Sequence, residues 1–262
     1  ACEAPQLIFL DEINAAVTRL HQAAAYQIVL EKRVGPFIFH PGTVVLAAGN
    51  LEEDNAIVSS LSSALCNRFA HYTLRVDSRA WLDWGAGAGI DESVLAYIGR
   101  FGEDVLYDNS GDHAFATPRS WEMASRLMVG APEEIQKRLV ASCVGFEASE
   151  KFANYLRIYQ RVNAKKIIEK GTPVDFQRGK QAEPSFIYAA IFAVAAWLNG
   201  NKALADKHLP NVVAFAQSPG LDPEYVFLFL RQLKRHPDLL DRLKVVPEYH
   251  SLAKDLVSLH VG

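Results

Sequence analysis

The chain has 262 residues, 50% of them hydrophobic and 22% charged, so it can bury a sizeable core in one large domain or two modest ones. Its 27 basic and 30 acidic side chains give a net charge of −3, a balance that argues against a general attraction to nucleic acid. The three widely spaced cysteines, Cys2, Cys66 and Cys143, match neither a disulfide framework nor a zinc-ligand pattern.

The sequence shows no pattern typical of a secreted or membrane protein. Its first ten residues lack a basic start followed by an apolar run. The longest apolar stretch, residues 186–198, is shorter than the roughly 20 residues that span a bilayer, and it predicts a buried helix instead. We therefore expect a cytoplasmic protein that makes no membrane contact and keeps its thiols reduced.

The first part of the chain alternates predicted strands and helices. Continuous apolar runs at residues 7–10 and 43–48 predict strands that are buried on both faces, as in a parallel sheet. An apolar stripe at helical spacing predicts a helix over residues 15–31. The other elements predicted in this part are a hairpin at residues 37–39 between Gly-Pro and Pro-Gly pairs, a helix at 57–65 and a third strand at 72–76.

Beyond residue 77 the sequence predicts helices. Residues 81–89 contain three glycines and predict a hinge, while the polar residues 163–183 predict a loop. The predicted helices cover residues 92–101, 118–129, 132–144 and 148–162, and further helices run from residue 184 to the end. Five prolines stand where first-turn prolines start helices: Pro118, Pro132, Pro184, Pro223 and Pro237. The predicted fold class is therefore α/β followed by all-α.

Two adjacent carboxylates, Asp11 and Glu12, follow the first predicted strand. In open parallel sheets, ligands bind beyond the carboxyl ends of the strands. Neighbouring acids repel each other unless a cation or a positioned water lies between them. We therefore expect Asp11 to hold Mg²⁺ through water and Glu12 to orient an attacking water. The alternative is the start of a helix, where acidic side chains are also favoured.

Three more polar side chains are candidates for contact with a phosphate group. Asn50 follows the second strand, where its amide can donate to a phosphate oxygen and accept from a water, although asparagine is also common in turns. Arg68 precedes the predicted third strand, and Arg119 starts a helix of the second part. Guanidinium groups fit phosphate oxygens, but a single arginine is more often a solvated surface charge.

The order of these motifs resembles that of AAA+ ATPases of the MoxR type, over about residues 6–129. The hairpin near Phe37 is similar to the pre-sensor hairpin of that branch. The matching segments are LIFLDEINAA (Walker B), VVLAAGN (sensor 1), SALCNRF (arginine finger) and FATPRSWE (sensor 2). The resemblance implies the C-terminal half of an AAA+ P-loop NTPase core, followed by its helical lid. It implies three parts: a partial core at residues 1–84, a lid with sensor 2 at 85–162 and a helical extension at 163–262.

The resemblance also implies ATP and Mg²⁺ as cofactors and assigns a role to each candidate. Asp11 would organise Mg²⁺, Glu12 would act on the hydrolytic water, and Asn50 would position that water. Arg68 would reach the nucleotide of a neighbouring subunit, and Arg119 would report the nucleotide state to the lid. Such proteins are chaperone-like remodelling ATPases that form homo-oligomeric rings, commonly hexamers. Many are linked with a von Willebrand factor A domain partner.

One family motif is missing, since no GxxxxGK[ST] loop occurs in the 262 residues. Residues 85–89, Gly-Ala-Gly-Ala-Gly, are not a substitute because they contain no lysine and follow no buried strand. The missing loop supplies the backbone donors and the lysine that hold the phosphates. We therefore expect the chain to be a fragment that does not hydrolyse ATP alone. The alternative is a non-hydrolysing adaptor whose helical part, residues 90–262, forms the binding surface.

Overall fold

A computed structural model describes residues 3–15, 19–50, 61–110, 113–233, 237–247 and 249–250. The chain divides into two compact units, residues 1–75 and residues 76–262. The first unit contains strands and helices and the second is built from helices, which confirms the predicted order of an α/β part followed by a helical part.

The first unit is organised around one pair of parallel strands. In chain order its elements are β1 (Leu7–Leu10), α1 (Arg19–Tyr26) continued by a π-helical turn (Gln27–Glu31), β2 (Arg33–Val34), β3 (Phe37–Ile38), β4 (Val44–Ala47) and α2 (Ser63–Cys66). β1 and β4 are parallel, with Leu7 opposite Val44 and Leu10 opposite Ala47. Because parallel strands need a crossover connection, α1 and the hairpin lie between them in the chain. Both strand predictions are confirmed.

The predicted hairpin is also present, formed by β2 and β3 in antiparallel pairing. Gly35 has a φ of +54° in its turn, a backbone conformation that glycine adopts without steric cost. At the base of the hairpin, the Nζ of Lys32 donates to the backbone oxygen of Thr43 at 2.8 Å. Since Thr43 is buried immediately before β4, this bond attaches the hairpin to the strand that it precedes.

Three expectations for the first unit are wrong or lie outside the described residues. Residues 72–76 form no strand, and the side chains of Tyr72 and Leu74 are 87% and 95% exposed. An apolar alternation becomes a strand only beside a hydrogen-bonding neighbour, and no strand among the described residues pairs with this segment. Of the helix predicted at 57–65, the described part is α2, because residues 51–60 lie outside the described ranges.

The expected burial of both sheet faces is likewise wrong. The four side chains of one face are all more than half exposed: Leu7, Phe9, Val44 and Leu46. The opposite face is only partly buried. Burial of both faces requires layers of helices on each side of a parallel sheet, and the described part of this unit does not cover the exposed face.

The second unit is helical throughout its regular structure. Its helices are α3 (Ser78–Ala88), α4 (Glu92–Phe101), α5 (Glu103–Leu106), α6 (Pro118–Met128), α7 (Glu133–Val144), α8 (Phe146–Tyr159), α9 (Ala164–Lys170), α10 (Pro184–Gly200), α11 (Lys202–Ala205), α12 (Leu209–Ala216), α13 (Pro223–Leu233) and α14 (Pro237–Leu243), with short 3₁₀ turns at Gly179–Ala182 and Asp206–His208. In the ranges that the structure describes, no helix has the length and apolarity needed to cross a bilayer.

The prediction of a glycine-rich hinge over residues 81–89 is wrong, because this segment is most of α3. Asp77 caps the helix by accepting from the backbone N–H of Ala80 at 2.9 Å. Gly85 allows close packing, since a Cβ there would lie 3.1 Å from the side chains of both Ile90 and Leu95. Gly89 ends the helix in the left-handed conformation. These two glycines therefore have packing and capping roles.

The loop predicted at 163–183 is partly wrong, since it contains α9 and a short 3₁₀ turn. Asn163 caps α9 by accepting from the N–H of Lys166 at 2.8 Å, and Ile167 and Ile168 are buried. The polar composition of this segment belongs to the exposed face of a short amphipathic helix. The proline predictions are confirmed: four of the five prolines are the first residues of α6, α10, α13 and α14, and Pro132 directly precedes α7.

The core of the second unit lies around α10, which is apolar on nearly all sides and packs against α4, α8, α9 and α13. An aromatic cluster of Tyr97, Trp121 and Phe152 fills the space between α4, α6 and α8, with ring centroids 5.3–5.5 Å apart. The indole N–H of Trp121 donates to the backbone oxygen of Val105 at 2.8 Å, so the polar atom of this fully buried side chain is satisfied.

Two glycines should respond in opposite directions to substitution by alanine. At Gly220, φ is +79° and a Cβ would lie 2.7 Å from the carbonyl carbon of Phe176, so Gly220→Ala should lower the free energy of unfolding by about 2–4 kcal/mol. At Gly87, inside α3, nothing lies within 4 Å of the added Cβ. Gly87→Ala should therefore raise the free energy of unfolding by about 0.5–1 kcal/mol. Denaturant unfolding measures the free energy of unfolding of both variants. If Gly87→Ala lowered it as much as Gly220→Ala, the packing described would be contradicted.

Glu103 should contribute a pH-dependent part of the stability. Its Oε1 accepts from the backbone N–H and from the Oγ of Ser78, at 2.9 and 2.7 Å, and these bonds hold the pKa of Glu103 below its usual value. Because the folded pKa is below the unfolded one, this stability is complete above the unfolded pKa, about 4.3, and is lost as the pH falls through the folded pKa.

Glu103→Gln should therefore lower stability at neutral pH and make the loss of stability in acid less steep. The check is denaturant unfolding at a series of pH values. Glu134→Gln, on an exposed carboxylate of α7, is the control. Parallel acid profiles for wild type and Glu103→Gln would show that the bonds to Ser78 do not contribute.

Candidate functional site

The candidate site lies where β1 and β4 end side by side. Their hydrogen bonding continues past the last strand residues, since the N–H of Ala48 donates to the oxygen of Leu10, and the N–H of Ile13 donates to the oxygen of Ala48, both at 2.9 Å. The segment after β1 and the segment after β4 are therefore held against each other. The segment that carries the predicted carboxylate pair therefore runs beside the segment that carries Asn50.

The carboxylates lie in a turn over residues 11–15. The Oδ1 of Asp11 accepts from the N–H of Glu12 at 3.0 Å, and the N–H of Ala15 donates to the oxygen of Glu12 at 2.9 Å. Both carboxylates are exposed. Two acidic side chains thus face solvent at the carboxyl end of a parallel strand, the position where open sheets bind ligands.

Glu12 has a left-handed backbone with φ +50°. For a non-glycine residue this conformation costs about 1–2 kcal/mol relative to ordinary backbone. Such strain is concentrated at functional sites, where a particular side chain is kept despite its cost. Glycine would be the unstrained residue here, as it would at Lys32, which has the same φ of +50°.

Asn14, which is not among the predicted site residues, contacts Asn50 directly. Its Nδ2 donates to the backbone oxygen of Asn50 at 2.6 Å, and its Oδ1 accepts from the N–H of Asn50 at 3.1 Å. The preceding Gly49 leaves the necessary room, because a Cβ there would lie 2.4 Å from the Oδ1 of Asn14. The available sequence signal was an amide side chain two residues after Glu12, together with a glycine at the end of the neighbouring strand.

Arg68 lies just beyond α2, where it is exposed and its Nη1 donates to the backbone oxygen of Ala64 at 3.1 Å. It therefore binds a free carbonyl group of its own helix. Across the described residues, no hydrogen bond or ion pair connects it to Asp11, Glu12 or Asn50. Within the first unit, the structure therefore joins the turn that contains Asp11 and Glu12 to the backbone of Asn50, and Arg68 makes no bond to either segment among the described residues.

Arg119 belongs to the second unit, where it is the second residue of α6 and is exposed. The helix start that carries it is well defined, because Thr117 and Ser120 form a reciprocal capping box and Pro118 occupies the first helical position. The guanidinium is thus placed on a firm helix terminus.

The described residues contain no group of three or more His, Cys, Asp or Glu side chains that could hold a metal ion by themselves. Cys66 and Cys143 are free thiols. Comparisons with protein-family models, with curated proteins and with solved structures find no match to this chain.

Replacing Glu12 by glycine should test the strain. Glycine usually costs about 0.5–1 kcal/mol in a folded chain, but at Glu12 it relieves the left-handed backbone, so Glu12→Gly should leave the free energy of unfolding unchanged or raise it by up to about 1 kcal/mol. Glu134, an exposed residue inside α7 without a positive φ, is the control, and Glu134→Gly should be destabilising by about 0.5–1 kcal/mol. The check is denaturant unfolding of both variants. If the free energy of unfolding fell equally in the two, Glu12 would be unstrained.

Proposed function

We propose that this chain is part of an ATP-hydrolysing remodelling protein, similar to AAA+ ATPases of the MoxR type, that acts on partner protein complexes. The observation that supports the proposal is the hydrogen-bonded alignment of the two strand ends, because the segments that contain Asp11, Glu12 and Asn50 leave the sheet at the same edge. The order of the four sequence motifs supports the same class. Cytoplasmic localisation is part of this proposal.

The side chains at the strand ends fit the cofactors that this function needs. Mg²⁺ prefers oxygen ligands and keeps several of its waters, and the exposed carboxylate of Asp11 is such a ligand. When bound, ATP and Mg²⁺ supply the phosphoryl group and the charge that neutralises it. Asp11 would hold Mg²⁺ through water, Glu12 would orient the attacking water and accept its proton, and Asn50 would fix that water with its amide.

The two arginines would complete the site in an assembled ring, commonly a hexamer in proteins of this type. Arg68 is exposed. A residue that stabilises phosphoryl charge on the nucleotide of a neighbouring subunit has to be exposed on its own subunit. Arg119, on the first turn of α6, would report the nucleotide state to the helical part. A protein with a von Willebrand factor A domain is the partner that the resemblance implies.

The proposal requires a phosphate-binding loop that these 262 residues do not contain. The loop would have to be supplied by sequence ahead of Gln6 in the intact protein, and this chain by itself would not hydrolyse ATP. If the intact protein has no such loop, the second candidate function applies, a non-hydrolysing binding module. The observation that favours it is the second unit, whose helices have their own hydrophobic core and could present a binding surface.

Glu12→Gln in the intact protein tests the proposed role of Glu12. The amide keeps the size of the side chain but cannot accept a proton, so the rate of ATP hydrolysis should fall about 100-fold or more. ATP binding, measured separately by titration, should be retained. Glu134→Gln, on the exposed surface of α7, is the control. Turnover near that of the wild type would rule out this role, and an intact protein that does not bind ATP would favour the binding module.

A further inference from the structure

We infer that Asn14 is a positioning residue, which holds Asn50 in the place beside Glu12 that ATP turnover requires. This inference rests on the proposed function and adds to it a residue whose side chain touches neither the phosphates nor the attacking water. Asn14 acts through the backbone of Asn50, and its contribution should therefore appear in turnover and not in nucleotide affinity.

The contact is made by both ends of one amide. The Nδ2 of Asn14 donates to the oxygen of Asn50 at 2.6 Å, while its Oδ1 accepts from the N–H of the same residue at 3.1 Å. A single hydrogen bond leaves a group free to rotate about the bond. Two bonds to the same residue also fix its orientation, in the way that a strand neighbour would.

The rest of the connection is made by the backbone. Beyond the last strand residues, the N–H of Ala48 first donates to the oxygen of Leu10. The N–H of Ile13 then donates to the oxygen of Ala48. The side chain of Asn14 makes the last bond, to Asn50. The Asn14 amide thus extends the link between the two segments by one further step. Without it, the backbone of Asn50 would lose the two bonds that join it to the turn containing Glu12.

The neighbouring Gly49 shows that the amide needs this space. The three atoms nearest to a Cβ built on Gly49 all belong to Asn14, with the Oδ1 at 2.4 Å, the Cγ at 2.9 Å and the Nδ2 at 3.4 Å. Gly49 does not have a positive φ, so alanine could adopt its backbone conformation. The obstacle to a side chain at this position is therefore the amide of Asn14.

This steric relation gives a test by double-mutant cycle in the intact protein. Asn14→Ala removes the contact directly, and Gly49→Ala should displace the same amide. Each should lower kcat for ATP hydrolysis about 10–100-fold, as expected when a catalytic group is misplaced by about 1 Å, with the KM for ATP changed less than about threefold. In the double variant the space is already empty, so kcat should be no lower than in the more impaired single variant.

A second measurement reports on the contact without using catalysis. Hydrogen exchange of the Asn50 amide should become at least about tenfold faster in both single variants, because its acceptor is removed or displaced. Exchange of the paired strand amides of β1 and β4 should be unchanged, which would show that the fold of the first unit is intact. Asn154→Ala is the control, since among the described residues the side-chain amide of Asn154 is bonded to the exposed side chain of Arg157.

The outcomes separate this inference from the proposed function. If wild type hydrolyses ATP and Glu12→Gln does not, but Asn14→Ala retains wild-type kcat, then the role of Asn14 is wrong and the proposed function stands. Losses that multiply in the double variant would also overturn the inference. If the wild-type intact protein does not hydrolyse ATP, both fail together, even where exchange at Asn50 confirms the contact.

Discussion

The candidate site depends on one interaction, the parallel pairing of β1 with β4. Because Leu10 lies opposite Ala47, the residues that follow each strand leave the sheet at the same edge. Two backbone bonds and the amide of Asn14 extend that pairing beyond the strands. A register shift of one residue would move Asn50 away from Asn14, and it would also exchange the two faces of the strand. The alignment of the segment containing Asp11 and Glu12 with the segment containing Asn50 is thus a direct consequence of strand register.

The residue types at Glu12, Asn14 and Gly49 are explained only when the three positions are considered together. Glu12 keeps a left-handed backbone that would suit glycine better, while Gly49 lacks a side chain because Asn14 occupies the space. A charged residue therefore stands where backbone strain favours glycine, and a glycine stands where the backbone would accept alanine. The glutamate at position 12 costs backbone strain, and the glycine at position 49 costs conformational entropy on folding. Both residues keep polar groups at the strand ends. This pattern is expected where function, more than stability, determines the residue.

The second unit has a different organisation, in which stability comes from burial. α10 is apolar on nearly every side, and the helices around it supply the faces that cover it. The aromatic cluster around Trp121 joins three of these helices, and its one buried N–H has a partner. Polar residues in this unit act mostly at helix ends, as Asp77 does for α3 and Thr117 for α6. These caps define the helix termini, including the terminus that carries Arg119.

The sequence by itself determined the local features: the apolar runs of β1 and β4, the turn at Gly35, the prolines that begin helices, and the acidic pair that follows a buried-type strand. Each depends on residues adjacent in the chain, so its physical cause can be read without the fold. The tertiary structure decided what depends on distant partners. Tyr72 and Leu74 have strand-like alternation, but no strand among the described residues pairs with them. Gly85 lies inside α3, where Ile90 and Leu95 pack closely against it. The contact between Asn14 and Asn50 joins residues 36 positions apart, and only the pairing of two strands brings them together.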